Sequence, residues 1–261
     1  MVELAQRLAS IALGVAQEAS EIAAAGWRQR PLAAKKAPVD LVTEYDLSTE
    51  RFIRARLAEL APDVGVMAEE EGGSVGAEPA FYCDPIDGTT NFVHGHPFWA
   101  VSIGVVEAGR PIAGAVVAPA LQTTWVGWQG GGAQRNGAPC QVSLTESVGE
   151  ALVATGFPLD RSREPDNNFA SFARVKQAAR AVRRCGSAAI DCCLVADGTY
   201  DAYWERRLHI WDVAAGSAIA LAAGGRLTAL DGGPPNLERG HIILSNGRVH
   251  DQLVPLVCGP A

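Results

Sequence analysis

Residues 84–92 read DPIDGTTNF, and this stretch carries most of what the sequence says about fold and chemistry. It contains two carboxylates, a proline and two hydroxyls. The ring of Pro85 fixes its own φ and restricts Asp84, which can aim both Asp side chains at one point. Gly88 lets a ligand approach the backbone, and a helical turn starting at Thr89 would offer N–H groups to a phosphate. Alone, the Asp87–Gly88 pair is equally typical of a plain β-turn.

Two further acidic segments favour a site over a turn. Glu69-Glu70-Glu71 follows an apolar run at 64–68, and a second apolar run at 80–83 leads into Asp84. Both place carboxylates at strand ends, where open sheets bind ligands, although three consecutive Glu residues are also typical of a solvated surface. Asp212 precedes an apolar segment at the expected N-cap of a helix. Carboxylates without Cys or His partners are the ligands that Mg²⁺ prefers.

Composition limits the functions that are open to this chain. It has 261 residues, 48% of them apolar, and a formal net charge of −7. This is enough for one or two globular domains, and it argues against nucleic-acid or anionic-membrane partners. The six cysteines lack zinc-ligand spacing, so we expect them to be reduced. Without a signal-peptide pattern or a long apolar stretch, we expect a cytoplasmic protein with no membrane segment.

Hydrophobic periodicity predicts a mixed α and β chain. It indicates a helix near 4–22 that is stopped by Pro31, a polar connector at 35–38, and a helix at 46–60. Five strands of one sheet follow, with a hairpin turn at 130–132. Beyond 137, strands and helices alternate. The turn-rich region 137–149 predicts two sub-domains that form one catalytic unit: an α+β unit at 1–145 carrying Glu69 and DPIDGTT, and an α/β unit at 146–261 carrying Asp212.

DPIDGTTNF together with WDVAAG at 211–216 resembles the inositol monophosphatase family, which belongs to a magnesium-dependent, lithium-sensitive phosphatase superfamily. Further matches are PVDLVT at 38–43 followed by Asp46, the Glu69-Glu70 pair, and DAYWE at 201–205. The similarity runs from about residue 35 to 247. Ala68 departs from it, because a Gly commonly precedes the Glu pair. The resemblance implies an α+β fold, the layered α-β-α-β-α sandwich of the inositol monophosphatase and fructose-1,6-bisphosphatase type, and a homodimer.

The resemblance also implies two to three Mg²⁺ ions per site. Their ligands, matched residue by residue, would be Glu69, Asp84 and the Ile86 carbonyl for a first ion; Asp84, Asp87 and Asp212 for a second; and Glu69 with Asp46 for a weaker third. The implied catalytic residues are Glu69, Thr89 and Asp84, with Thr89 and Glu69 orienting the attacking water. Gly88, Thr89 and Thr90 would contact phosphate, and Glu205 would bind a substrate hydroxyl.

The implied reaction is Mg²⁺-dependent hydrolysis of inositol monophosphate to inositol and phosphate by metal-activated water. The same chemistry on histidinol phosphate, fructose 1,6-bisphosphate, a nucleotide 3′-phosphate or NADP stays open. A non-catalytic metal-binding regulatory protein is the alternative from another class. Arg206 and Arg207 follow Glu205, and we expect them to face solvent, as arginine usually does. If they pointed inward, they would indicate a bisphosphorylated or carboxylated substrate.

Overall fold

The computed structural model describes residues 2–37, 40–74 and 79–259. Pro38 and Val39, part of the 38–43 match, lie outside the described residues. The helices are α1 (Val2–Gly26), α2 (Glu44–Leu60), α3 (Thr89–Val93), α4 (Phe169–Ala178), α5 (Ala188–Ala196), α6 (Ile210–Ala222) and α7 (His250–Cys258).

The strands are β1 (Ala33–Ala37), β2 (Asp40–Thr43), β3 (Gly65–Ala68), β4 (Gly72–Ser74), β5 (Ala80–Asp87), β6 (Ala100–Glu107), β7 (Arg110–Ala118), β8 (Thr123–Trp128), β9 (Gly132–Arg135), β10 (Ala138–Cys140), β11 (Leu152–Thr155), β12 (Ala181–Arg183), β13 (Ala202–Glu205), β14 (Arg226–Thr228) and β15 (Ile242–Ser245). In the part of the chain that the structure describes, β1 and β2 form a hairpin and the other strands form two sheets. The first has the order β10-β9-β8-β7-β6-β5-β3-β4 and the second the order β12-β11-β13-β15-β14.

The layers follow the order helix, sheet, helix, sheet, helix. Helices α1 and α2 cover one face of the first sheet, and α5 and α6 lie between the two sheets. Helices α4 and α7 cover the outer face of the second sheet. This is the α+β layered sandwich expected from the resemblance, and it is confirmed. The division into sub-domains near residue 145 stays a prediction.

Helix α6 reaches the first sheet through a groove of paired glycines. Gly104, Gly114 and Gly127 lie side by side on β6, β7 and β8. A Cβ on Gly114 would lie 2.5 Å from the carbonyl oxygen of Ala215, and one on Gly104 would lie 2.4 Å from the Ala215 nitrogen. Backbone therefore packs directly on backbone, and this contact fixes the position of α6, whose first turn carries Asp212.

The structure corrects several predicted elements at the N-terminal side. Helix α1 ends at Gly26, before Pro31, because Arg28 and Arg30 adopt left-handed φ values of 65° and 51° that a helix cannot continue through. The prediction of a polar connector at 35–38 is wrong for 35–37, since these residues belong to β1 and pair antiparallel with β2; Pro38 lies outside the described residues. Helix α2 starts at Glu44 because the side chain of Thr43 caps it.

Other corrections lie near the site and at the C-terminal end. Strand β5 continues beyond Cys83 to Asp87, with an irregular register against β6 between Asp84 and Asp87. Asp212 is not the N-cap of α6; that position is His209, and Asp212 lies in the first turn. The elements that the sequence did not predict are β1, β2, β4, β10 and α7, and β9 was implied only by the hairpin turn at 130–132. Helix α7 contains Pro255, and the buried side chains of Leu253 and Val257 hold it in the core. The hairpin at 130–132 is confirmed by the pairing of β8 with β9.

None of the helices formed by the described residues combines the length and the apolar character needed to cross a bilayer.

We predict that Gly114→Ala destabilises the protein by about 1–3 kcal/mol, because the added methyl group must displace the backbone of α6. The matched control is Gly14→Ala in α1, where a Cβ would meet nothing within 4 Å. That change should stabilise by up to about 1 kcal/mol through helix propensity. Urea unfolding of both variants measures the difference. Equal stability of Gly114→Ala and the parent chain would contradict the backbone contact described here.

Candidate active site

A cleft of about 800 Å³ lies where the ends of several elements meet. All of the sequence-predicted site residues except Asp46 line it. Those residues are Glu69, Asp84, Ile86, Asp87, Gly88, Thr89, Thr90, Glu205 and Asp212. They come from the ends of β3, β5 and β13, from the start of α3 and from the first turn of α6. Residues that are distant in the sequence therefore line one cleft.

Parallel pairing of β3 with β5 brings the first two acidic segments together. Ala68 lies opposite Cys83 in this pairing, so Glu69 and Asp84 follow neighbouring strand positions. The Asp84 carboxylate is 2% exposed, and its Oδ1 accepts a hydrogen bond of 2.9 Å from the backbone N–H of Ile86. The register irregularity at Pro85 and Ile86 turns this stretch of chain into the cleft.

Asp87 joins the DPIDGTT segment to α5. Its Oδ2 accepts hydrogen bonds from the hydroxyl of Ser187 and, at 2.8 Å, from the Ala189 N–H, while Oδ1 accepts one from the Ala188 N–H at 3.3 Å. Burial raises the pKa of Asp87 to about 6, although these hydrogen bonds oppose the rise. Ser187 was not predicted from the sequence, because a contact between residues a hundred positions apart leaves no local pattern.

Gly88 occupies a position that no other residue would fit without strain. Its φ is 93°, in the left-handed region, and a Cβ would lie 2.9 Å from the carbonyl oxygen of Phe98. The helical turn α3 begins at Thr89, as expected. Asn91 then fastens the segment, because its Nδ2 donates to the carbonyl oxygens of Phe98 at 2.6 Å and Cys185 at 2.9 Å.

Asp46 lies beneath the cleft wall and contacts Thr89. Its Oδ2 accepts hydrogen bonds from the backbone N–H and the hydroxyl of Thr43, at 2.7 Å and 2.6 Å. The hydroxyl of Thr89 lies 3.1 Å from Asp46 Oδ1 and 3.0 Å from the Ile86 carbonyl oxygen, so its single proton has two acceptors. Burial raises the pKa of Asp46, and the hydrogen bonds from Thr43 and Thr89 oppose this.

A buried glutamate on α2 positions the Glu69–Glu71 segment. The Glu50 carboxylate accepts hydrogen bonds from the backbone N–H groups of Glu70 at 2.6 Å and Glu71 at 2.8 Å, and it pairs with Arg54 at 3.0 Å. Sequence reasoning missed Glu50. Its one local signal is the Glu–Arg spacing of four residues, which is common on solvated helix faces and so does not indicate this contact.

Asp212 faces the same cleft from α6. Its Oδ2 accepts a hydrogen bond of 2.7 Å from the backbone N–H of His209, which holds the side chain at the start of the helix. Burial raises the pKa of Asp212 well above its ordinary range, and the negative charges of Glu69 and Asp87 raise it further.

The acidic side chains of the cleft repel one another. Burial raises the pKa of Asp84 well above its ordinary range, and the charges of Glu69, Asp87, Asp212 and Asp46 add to the effect. Such a concentration of desolvated carboxylates favours protons or a cation. Their oxygen donors suit a hard divalent ion. Within the described ranges, however, no three Asp, Glu, His or Cys side chains already converge as a ligand set. The fit of this site to a divalent ion therefore rests on the negative charge of the carboxylates and on their oxygen donors.

Glu205 lines the same cleft as these carboxylates and lies at the end of β13. It is 8% exposed and accepts a hydrogen bond from the hydroxyl of Tyr203. Gly156 makes room for it, since a Cβ there would lie 2.0 Å from Glu205 Oε2. Burial raises the pKa of Glu205 from its ordinary 4.5 to about 7, although the Tyr203 hydrogen bond and the charge of Arg184 lower it.

Arg206 and Arg207 do not behave as expected. Both line the cleft, and each pairs with a carboxylate of the 156–166 segment: Arg206 with Asp166 at 2.6 Å, and Arg207 with Asp160 through two hydrogen bonds of 2.6 and 2.7 Å. The expectation that both face solvent is wrong for Arg206, whose side chain is 19% exposed. Their charges are neutralised by these partners, so they give little support to a second acidic group on the substrate.

We predict that Glu205→Gln changes how stability depends on pH. Because folding raises this pKa, the folded protein binds more protons than the unfolded chain between about pH 4.5 and pH 7. Stability therefore falls as pH rises through that window, by on the order of 3 kcal/mol from this group.

Urea unfolding in the presence of a chelator at pH 5 and pH 7.5 tests this. Relative to the parent chain, Glu205→Gln should gain more stability at pH 7.5 than at pH 5. The control is Glu21→Gln on the exposed face of α1. A gain that is the same at both pH values would show that Glu205 titrates in its ordinary range.

Comparison with known proteins identifies relatives along nearly the whole chain. A family model described as the inositol monophosphatase family matches residues 4–259. The inositol-1-monophosphatase of Synechocystis sp. is 42% identical over 216 residues, covering 82% of this chain and 75% of that protein. The Nus factor SuhB of Pseudomonas aeruginosa is 37% identical over 262 residues, covering 97% and 96%. The inositol monophosphatase of Anabaena (Nostoc) sp. superposes with a TM-score of 0.89 at 34% identity, covering 98% of this chain and 97% of that one.

Proposed function

The chain belongs to the inositol monophosphatase family and is a phosphoric monoester hydrolase, and from this premise we propose that it hydrolyses inositol monophosphate with Mg²⁺. The observation that carries the proposal is the meeting of Asp84, Asp87, Asp212 and Glu69 in one cleft, which Glu205 also lines. The four carboxylates concentrate negative charge where a phosphate must bind. Cations are therefore needed to reduce the repulsion between the carboxylates and the phosphate. Glu205 offers a carboxyl group to a hydroxyl of the alcohol.

The residues that would hold two Mg²⁺ ions are Glu69, Asp84, the Ile86 carbonyl, Asp87 and Asp212. When bound, the ions supply positive charge against the phosphate oxygens and the departing alkoxide, and they lower the pKa of a water molecule. Asp46 differs from this group, because hydrogen bonds with Thr43 and Thr89 already engage both of its oxygens. We therefore propose Asp46 first as the residue that positions Thr89, and only second as a ligand of a weaker third ion.

Thr89 is the proposed water-orienting residue. With its proton donated to Asp46 or to the Ile86 carbonyl, the hydroxyl oxygen can accept a hydrogen bond from the attacking water. Glu69 lines the same wall and would accept the second hydrogen of that water. Gly88, Thr89 and Thr90 would bind the phosphate oxygens, since the left-handed turn at Gly88 aims the start of α3 into the cleft.

Other substrates and one other class remain as competing proposals. Histidinol phosphate, fructose 1,6-bisphosphate, a nucleotide 3′-phosphate and NADP would use the same metal residues with a different alcohol wall. The pairing of Arg206 and Arg207 with Asp166 and Asp160 weighs against bisphosphates. A non-catalytic metal-binding regulator is the other class, and one relative is named a Nus factor. Buried carboxylates would serve metal binding in either class, so the match to the family and to inositol-1-monophosphatases is what favours the enzyme. A homodimer, lithium sensitivity and a cytoplasmic location stay predictions of the resemblance and the sequence.

A phosphate-release panel on the purified protein tests the proposal. With Mg²⁺, inositol 1-phosphate should be hydrolysed with a higher kcat/KM than the four competing substrates, and a chelator should abolish release. A higher kcat/KM for histidinol phosphate would overturn the proposed substrate but not the proposed Mg²⁺-dependent hydrolysis. If no phosphate is released from any of the five esters in the presence of Mg²⁺, the proposed hydrolysis of these substrates is wrong.

We predict that Asp87→Asn lowers turnover by at least about a hundredfold, because an amide removes one anionic oxygen from the proposed metal site and disturbs the contacts with α5. The rise in Tm that added Mg²⁺ should cause in the parent protein should also be lost. Asp63→Asn, the same change on an exposed turn, is the control. Parent-like rates and an unchanged Mg²⁺ response would remove Asp87 from the metal site.

A further inference from the structure

Helix α5 contains one carboxylate among apolar side chains. Its sequence is AAIDCCLVA, and each of its residues is buried. Asp191 lies in the first turn, is 2% exposed, and yet lines the same cleft as Glu205. The sequence analysis did not single it out. A lone acidic residue in an otherwise apolar helix was the signal available.

The carboxyl group of Asp191 lacks part of its hydrogen bonding. Within the described residues, its Oδ1 is buried and has no hydrogen-bond partner. An unsatisfied buried polar group destabilises a fold, so each such group in a native structure calls for an explanation. Because Asp191 lies on the cleft wall, a bound ligand could supply the missing partner.

Two other charged groups that line the cleft, Glu205 and Arg184, act on Asp191. Burial raises the pKa of Asp191 well above its ordinary range; the charge of Glu205 raises it further, and that of Arg184 lowers it. Arg184 also lines the cleft, and its Nη1 would lie 2.5 Å from a Cβ on Gly186, so its guanidinium lies over that glycine. We call Asp191, Glu205 and Arg184 the alcohol subsite.

The composition of the alcohol subsite restricts what it can bind. The subsite offers hydrogen-bonding groups of both kinds, two buried carboxyl groups and the guanidinium of Arg184, without an excess of one charge that would select an anion or a cation. Uncharged hydroxyl groups can donate to the carboxyls and accept from the guanidinium. The subsite thus suits a neutral alcohol with more than one free hydroxyl.

We propose that Asp191 is a specificity-determining residue, which binds a second hydroxyl of the alcohol beside the one bound by Glu205 and so selects phosphate monoesters of neutral polyols. This inference rests on the proposed function, because it places the phosphate at the carboxylates of the metal site and the alcohol at the alcohol subsite. It assigns Asp191 to binding, since the residue is not part of the set proposed for the metal ions or the attacking water.

The test compares Asp191→Ala and Asp191→Asn with the parent enzyme on inositol 1-phosphate, with inositol release as the assay. Alanine removes the hydrogen bond and should raise KM about tenfold, with kcat changed by no more than about twofold. Asp191→Asn keeps a hydrogen-bonding side chain, so its KM should lie close to that of the parent enzyme. Inhibition by inorganic phosphate, which lacks the alcohol, should be the same in all three proteins.

Stability separates a binding role from a structural one. Removing an unsatisfied buried carboxyl should leave the Tm of Asp191→Ala equal to or above that of the parent. Asp63→Ala, which removes an exposed carboxylate, should change neither KM nor phosphate inhibition.

Three outcomes would overturn the inference. An unchanged KM for Asp191→Ala would show that no substrate hydroxyl contacts it. A lower Tm with equal losses against inositol 1-phosphate and inorganic phosphate would make Asp191 structural. If the parent enzyme releases nothing from inositol 1-phosphate with Mg²⁺, the proposed function fails, and the inference fails with it.

Discussion

Repulsion between buried like charges is the constraint on which the rest of this structure depends. Asp84, Asp87 and Asp212 lie where burial and their neighbours' charges raise their pKa values. Each is held in place by backbone N–H donors: Ile86 for Asp84, Ala188 and Ala189 for Asp87, and His209 for Asp212. These hydrogen bonds fix the positions of the carboxylates, and the raised pKa values mean that a proton or a bound cation would lower the repulsion between them.

Helix starts supply most of these anchors. Thr43 caps α2 and holds Asp46, Asp87 accepts from the first N–H groups of α5, and Asp212 lies in the first turn of α6. The start of a helix leaves N–H groups without intrahelical partners, which is why a carboxylate is stabilised there. The glycine groove on β6, β7 and β8 then sets how close α6 comes to the first sheet, and hence where Asp212 meets Asp84.

The two groups of charged residues in the cleft follow different physical logic. The carboxylates proposed to hold metal ions concentrate negative charge, which a bound cation would balance. The alcohol subsite mixes two carboxyl groups with a guanidinium, an arrangement that favours hydroxyl groups over a charged ligand. Both groups of residues include buried carboxyls that destabilise the folded protein when no ligand is bound. This is common where a site is arranged for its ligand rather than for folding. Arg206 and Arg207, paired with Asp166 and Asp160, belong instead to the structure that holds the 156–166 segment beside the cleft.

The sequence by itself determined the part of the site that is formed by residues close together along the chain. DPIDGTTNF holds Asp84, Asp87 and the start of α3 within one stretch, and apolar runs before Glu69 and Asp84 predict two strand ends. Apolar patterns also predict most helices: α1 buries one stripe of side chains, and the wholly buried α5 is a continuous apolar run apart from Asp191. Only the tertiary structure decided the contacts of Glu50 with Glu70, of Asp87 with Ser187, and of Asp191 with the cleft. It also decided the β1–β2 hairpin and the pairing of Arg206. These contacts, apart from the hairpin, join residues twenty to a hundred positions apart, or a helix face to a cavity, so no short-range pattern encodes them. Local chemistry is readable along the chain, but the partner of a buried polar group depends on which elements pack together.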